Sequence, residues 1–188
     1  MNEQELNPKA LPKTNSTGIP QRLQHLRQVA DRAAARFENE AAVALYTRAL
    51  QALPRKRNRQ LDALECDLLY GRADCYRRLG DTAAYSNDLD AMAQLARQSG
   101  DALRLVAALT IRAQTPKFDT MATESAAREA VEIAQTAGEP VLLARALTAL
   151  GSTAWNNGDF SRATELAERA LSLCREVGDR PRRDVVRR

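Results

Sequence analysis

Aromatic side chains make up only 4% of this 188-residue chain, and none sits among its clusters of positive charge. A binder of single-stranded nucleic acid needs stacking surfaces beside its basic groove, so that class is disfavoured from the outset. Histidine occurs once. His25 lies among Gln24, Arg27 and Gln28, between the apolar Leu23 and Leu26, which is the setting of a surface residue. With no second histidine, neither a His-rich metal site nor a nucleophilic Ser, Cys or His constellation can be assembled. The three cysteines are an odd number at irregular spacing and suggest no disulfide framework. Cys66 and Cys75 are nine residues apart, about 900° of helical rotation, and so sit on opposite faces of a helix where they cannot share a metal.

Glycine is also sparse, and its eight copies never fall into the G-x-x-x-x-G-K-[ST] or G-x-G-x-x-G patterns that cradle phosphates. Asp62, Glu65 and Asp67 are carboxylates close in sequence, but on an exposed helix such groups hold water and neighbouring arginines. No catalysis, no metal and no cofactor is expected. Long apolar runs are missing too: the stretches Leu105–Leu109 and Leu142–Ala144 are broken far short of the ~20 residues needed to cross a bilayer. The N-terminus, MNEQELNPKALPKTNSTGIP, has no apolar core and is no secretory signal peptide. A cytoplasmic protein without membrane contact is expected.

What the chain has is alanine and leucine, within 44% hydrophobic and 28% charged residues. Val and Ile are few, so propensity favours helices over strands, and the fold class is all-α. Gly-acidic pairs punctuate it at Gly80-Asp81, Gly100-Asp101, Gly138-Glu139, Gly158-Asp159 and Gly178-Asp179. Three of the four intervals are twenty residues, and the fourth is thirty-eight, with Thr115-Pro116-Lys117-Phe118-Asp119 near its middle. Glycine supplies the left-handed conformation that closes a helix, and the acidic residue caps the next. Eight helices follow, over 21–36, 40–53, 59–79, 82–98, 102–114, 120–137, 140–156 and 160–177.

A fixed period calls for a repeat. Aligned on a small-apolar dipeptide, the second helix of each pair places Ala49-Leu50, Met92-Ala93, Ala130-Val131 and Ala170-Leu171 at intervals of 43, 38 and 40 residues. The unit is a helical hairpin used four times. Phe37, Phe118 and Phe160 fall at the hairpin turns, where each is expected to wedge its two helices. Gly151 and Ala154 should meet Ala163, Ala167 and Ala170 where the helix axes approach closely.

The pattern Ala42-x3-Tyr46-x2-Ala49-Leu50-x3-Pro54 resembles the second helix of a tetratricopeptide repeat. Leu147-x2-Leu150-Gly151-x2-Ala154 with Gly158-Asp159-Phe160 and Ala163-x6-Ala170 resembles a whole repeat. The resemblance covers residues 21–178, stronger in the first and fourth hairpins and weaker in the second and third; in the second, Tyr85 stands at a usually small position and Met92 replaces Ala. The period near forty is similar to the longer repeats that follow the ATPase module of bacterial STAND-type signalling regulators and of multidomain nucleotide cyclases. It implies an α-solenoid of about four hairpins in a right-handed superhelix, preceded by a tail at 1–20 and followed by a basic tail at 179–188. After Gly178-Asp179 a further hairpin would be expected, so the last hairpin reads as uncapped and available for self-association.

Basicity is local. Arg55-Lys56-Arg57-Asn58-Arg59 carries +4 and residues 179–188, with Arg182, Arg183, Arg187 and Arg188, carry +3; the whole chain is +4, so the rest sums to −3. Either a solvated loop and tail or contact with nucleic acid or an acidic partner would explain these segments.

Recognition is what remains. The resemblance implies a concave surface lined by the first helix of each hairpin, with ligand-facing positions at i, i+3, i+7 and i+10. These are Gln24, Arg27, Asp31 and Ala34, then Asp67, Tyr70, Asp74 and Arg77, then Arg145, Thr148, Ser152 and Trp155. Trp155 either meets a ligand or packs on a neighbouring hairpin. Asp74 with Arg77 and Arg78 is either a ligand contact or an intrahelical ion pair. The asparagine-and-lysine clamp for a C-terminal carboxylate is not evident, which disfavours a chaperone tail as ligand. The expected function is a non-catalytic scaffold for a protein or peptide partner. The alternative is a regulatory segment of a larger signalling ATPase or cyclase, with nucleic-acid contact third.

Overall fold

The computed structural model describes residues 21–115 and 120–186, with side chains over 21–115 and 121–178. Eight helices occur there and no strand: α1 (Gln21–Ala35), α2 (Asn39–Gln51), α3 (Arg59–Leu79), α4 (Thr82–Ser99), α5 (Ala102–Ala113), α6 (Thr120–Ala137), α7 (Pro140–Asn156) and α8 (Phe160–Val186). Each packs on the next in chain order. The odd helices also touch one another, α1 on α3, α3 on α5 and α5 on α7, while no two even helices meet among the described residues. The hairpins therefore stack with α1, α3, α5 and α7 as the inner row and the even helices outside.

Turn chemistry accounts for the boundaries. Gly80, Gly100, Gly138 and Gly158 all have positive φ. Asp81, Asp101 and Asp159 accept the backbone N–H of Ala84, Arg104 and Arg162 at 3.0–3.1 Å, so each pair closes one helix and caps the next. The first hairpin turn closes α1 in the same way with other residues, but the Glu38 side chain makes no capping bond, and neither does Glu139 before α7. Phe37 takes φ 63° in place of glycine, and the Glu38 N–H reaches back to the Ala33 carbonyl at 3.0 Å, as Asp81 N–H does to Tyr76.

Two expectations fail here. Gly178-Asp179 closes nothing: Gly178 is not among the positive-φ glycines, and α8 continues through it to Val186. A glycine with helical neighbours and no packed turn behind it simply continues the helix, at the usual cost relative to alanine. The phenylalanine wedges also fail. The left-handed backbone aims Phe37 outward, where it is 76% exposed beneath the Arg78 guanidinium at 5.4 Å. Phe160 stands exposed on α8, edge-on to Trp155 with ring centroids 4.8 Å apart. Phe118 lies outside the described residues.

The large side chain that does fill a gap is Tyr46. Buried at the α2–α3 contact, it lies so close to Gly71 that a β-carbon there would come 2.5 Å from its ring. Its hydroxyl donates to Asp31 at 2.7 Å, and burial together with that bond holds the phenol well above its ordinary range. The core is a strip rather than a centre. Tyr46 and Ala49 pack with Leu61, Leu64 and Leu68 of α3. Met92, Ala93 and Ala96 pack with Leu105 and Leu109 of α5, and Ala130 and Ala134 with Leu142 and Ala146 of α7. The Arg72 guanidinium clamps the buried Asp88 at 2.7 and 2.8 Å and donates to Thr47 at 2.9 Å, tying α2, α3 and α4 together.

Three glycine substitutions test this reading by urea denaturation. Gly71→Ala should destabilise by about 1–3 kcal/mol through overpacking on Tyr46. Gly158→Ala should destabilise by about 1 kcal/mol because alanine is strained at its φ of 82°. Gly178→Ala should instead stabilise by about 0.5–1 kcal/mol, as at any helix-interior glycine. Destabilisation by that last change would mean a turn at 178.

Candidate functional site

Charged side chains on the inner row are paired across hairpins. The Asp67 carboxylate of α3 accepts Arg27 of α1 at 2.9 Å and Arg104 of α5 at 3.0 Å, so one anion links three hairpins. Arg104 also holds Asp101 at 2.8 Å. Burial alone would raise the Asp101 carboxyl, but the backbone N–H and guanidinium of Arg104 outweigh it and hold the group below its ordinary value. Asp31 takes Tyr46 at 2.7 Å and lies 3.7 Å from Arg27. Asp74 pairs within its own helix, with Arg77 at 2.6 Å and Arg78 at 2.5 Å, the intrahelical alternative of the two.

Beside this lattice runs a groove of about 540 Å³ shared by α3, α5 and α7. Its floor is apolar, with Met92, Leu103, Ala107 and Ile111, and its polar rim includes Asp67, Arg104 and Arg145. Asp67 and Arg104 neutralise each other. Arg145 is exposed and has no ion-pair partner among the described residues. Tyr70, 50% exposed, forms with Ile111 and Gln114 the border to a second hollow of about 270 Å³ that ends at Asp74, Arg77 and Tyr85. The Tyr85 hydroxyl lies 3.0 Å from the Thr115 hydroxyl at the base of that hollow.

The third hairpin supplies the residues that the sequence pattern had left unassigned. Arg104, Ala107, Ile111 and Gln114 on and just after α5 repeat the i, i+3, i+7, i+10 spacing of the other three helices, and all four line the groove. The signal was present in the spacing. Of the expected positions, Asp67, Tyr70 and Arg145 meet in the main groove, Asp74 and Arg77 in the adjoining hollow, and Arg27 and Asp31 in the ionic lattice. Ser152 and Trp155 are elsewhere. They line an adjoining apolar groove of about 520 Å³ between α7 and α8, which meets the main groove at Thr148, with Trp155 61% exposed.

The basic loop is not four free cations. Arg57 reaches across to Asp62 at 2.9 Å and to Glu65, and with the Asn58 side chain accepting Leu61 N–H at 2.8 Å it anchors the start of α3. Arg55, Lys56 and Arg59 are exposed. The side chains of Arg182 and Arg183, and the whole of Arg187 and Arg188, lie outside the described residues. His25 is exposed. Burial pushes the Cys66 thiol up to about 11 and raises that of Cys75, so both stay protonated near neutral pH. No group of three or more His, Cys, Asp or Glu placed to hold a metal occurs among the described residues, and no described helix is long and apolar enough to cross a membrane. No family model matches the chain, and a search of curated proteins finds no relative.

The lattice carries a pH dependence. Because the folded Asp101 carboxyl titrates below its unfolded value near ~3.9, its contribution is complete above that pH and is lost as pH falls through the lower folded value. Asp101→Ala should cost about 0.5–2 kcal/mol at neutral pH through loss of the α5 cap. Urea melts at neutral and acid pH should converge between variant and wild type; a gap that stays constant down to acid pH would refute the linkage.

Proposed function

We propose that the chain is a non-catalytic interaction module of the tetratricopeptide type that holds an extended peptide along the inner row. The observation that carries this is the groove across α3, α5 and α7, in which an apolar floor lies beside the ion-pair-free Arg145. A peptide with an apolar side chain for Leu103, Ala107 and Ile111, and a neighbouring carboxylate for Arg145, matches that chemistry. Arginine suits it because its planar fork can hold a carboxylate in two parallel hydrogen bonds. Tyr70 supplies a rigid, half-exposed ring at the border of the two hollows, a type of residue that often dominates binding energy.

The ionic lattice supports the reading indirectly. Arg27, Asp67, Arg104 and Asp101 neutralise one another and hold the helices in register, so a ligand meets a preformed wall rather than loose charges. For the Arg-rich loop, the pairing of Arg57 with Asp62 and Glu65 speaks for a structural role at the α3 N-terminus over nucleic-acid contact.

Selection of peptides from a random library on immobilised protein tests the proposal. Selected sequences should carry an acidic residue beside an apolar one. Arg145→Glu and Tyr70→Ala should each weaken their binding by about tenfold or more, equal to about 1.4 kcal/mol. Trp155→Ala should leave it unchanged. Binding that ignores Arg145→Glu, or that is lost with Trp155→Ala alone, would remove the inner groove as the site.

A further inference from the structure

The four hairpins can be laid over one another by their aligned second helices, and three positions on α8 then stand out. Ala167 corresponds to Ala127, Leu89 and Tyr46, each at most 3% exposed. Leu171 corresponds to Val131, Ala93 and Leu50, all packed into core clusters. Cys174 corresponds to Ala134 and Ala96, both fully buried, and to the half-buried Leu53. In the earlier hairpins these positions are covered by the first helix of the next: Tyr46 by α3, Ala93 and Ala96 by α5, Val131 and Ala134 by α7. On α8 all three are exposed, Leu171 at 54%, and among the described residues no helix lies over them. Together with Trp155 and Ser152, Ala167 and Leu171 border the 520 Å³ groove of α7 and α8, and Cys174 lies one turn beyond it on the same face.

An occupant of this groove would have the form of a helix, because a helix fills the corresponding groove in every earlier hairpin. Its apolar face must match what α3, α5 and α7 present there, Leu or Ala side chains spaced three and four apart. Among the described helices one offers such a face unfilled, and it is α8 itself. Phe160, Thr164, Ala167, Leu171 and Cys174 follow one another at intervals of four, three, four and three, the spacing of a helix-pairing seam. The far end of the array offers nothing comparable, since α1 turns Arg22, His25 and Arg32 outward. Head-to-tail stacking is therefore not served, and the groove's complement is a second copy of the same groove.

Charge sets the direction of the pairing. Glu168 and Arg175 flank the seam on one edge, seven residues apart, both exposed and neither with an ion-pair partner among the described residues. In a parallel pair each would face its own kind. In an antiparallel pair centred near Leu171, Glu168 of each copy faces Arg175 of the other. We infer that the chain self-associates as a closed twofold dimer in which α8 of each copy lies antiparallel in the α7–α8 groove of the other. A patch that is its own complement closes after two copies, so no fibre forms.

Sedimentation velocity on the purified chain over a range of concentrations tests the inference, which stands apart from the peptide site. A monomer–dimer equilibrium is expected. Leu171→Glu, at an exposed position that leaves the monomer fold intact by circular dichroism, should give monomer throughout. Val141→Glu, half-exposed on α7 away from the groove, should leave the dimer unchanged. Glu168→Arg and Arg175→Glu should each weaken the dimer about fivefold or more, and the double reversal should restore it. A monomer at every concentration, a dimer indifferent to Leu171→Glu, or a double reversal as weak as the single ones would overturn it.

Discussion

No hairpin in this chain covers its own outer face. The small residues along α2, α4 and α6 are buried only because the first helix of the following hairpin lies over them, and that dependence shapes everything else. It explains the alanine content: Ala49, Ala93, Ala96, Ala130 and Ala134 each bury little area, but they let helix axes come close enough for leucines of the next hairpin to fill the space. It also explains why the core is a strip. Leu50 packs against two successive clusters and Val131 against three, so each hairpin is coupled to its neighbours and not to a common centre.

The helix boundaries were legible because they rest on local chemistry. A left-handed residue followed by an acidic cap is a two-residue device, and four of the five Gly-acidic pairs close a helix. The exceptions share one cause. Phe37-Glu38 makes the same turn without glycine, since packing of α1 on α2 can hold a non-glycine residue at positive φ, at some cost in strain. Gly178 has the glycine without the turn: its backbone stays helical, and among the described residues no later helix packs back on α8. Glycine permits the left-handed conformation, and tertiary contact decides whether it is used. The same distinction separates Phe37 and Phe160, which the turn position marks as wedges, from Tyr46, which becomes one because Gly71 leaves room for its ring.

The inner face was legible in its period and not in its pairings. The i, i+3, i+7, i+10 spacing locates Arg27, Asp67, Tyr70 and Arg145, and applied to α5 it also locates Arg104, Ala107, Ile111 and Gln114. It cannot say that Asp67 joins Arg27 forty residues before it to Arg104 thirty-seven after. Nor can it say that Arg145 is left over once those pairs form. Which charge is left without a pair depends on the distances between hairpins, and those are set by the alanine contacts of the outer row. The buried clamp of Arg72 on Asp88 escaped for the same reason, because neither residue belongs to any periodic stripe.

Trp155 carries the point further. By spacing it belongs with Arg145 and Thr148, yet it sits at the C-terminal end of α7, where the chain turns into α8, and its ring meets Phe160. An inner repeat must be apolar on both faces, but a terminal one is released from that requirement on its outer side. The first hairpin uses the freedom and shows Arg22, His25 and Arg32 to water. The last does not: it keeps Ala167, Leu171 and Cys174 where a covered hairpin would have them, and sets an unlike pair of charges beside them. Water at those positions would be met at less cost by polar side chains, which nothing on α8 would obstruct. That face has the composition of the covered faces of α2, α4 and α6.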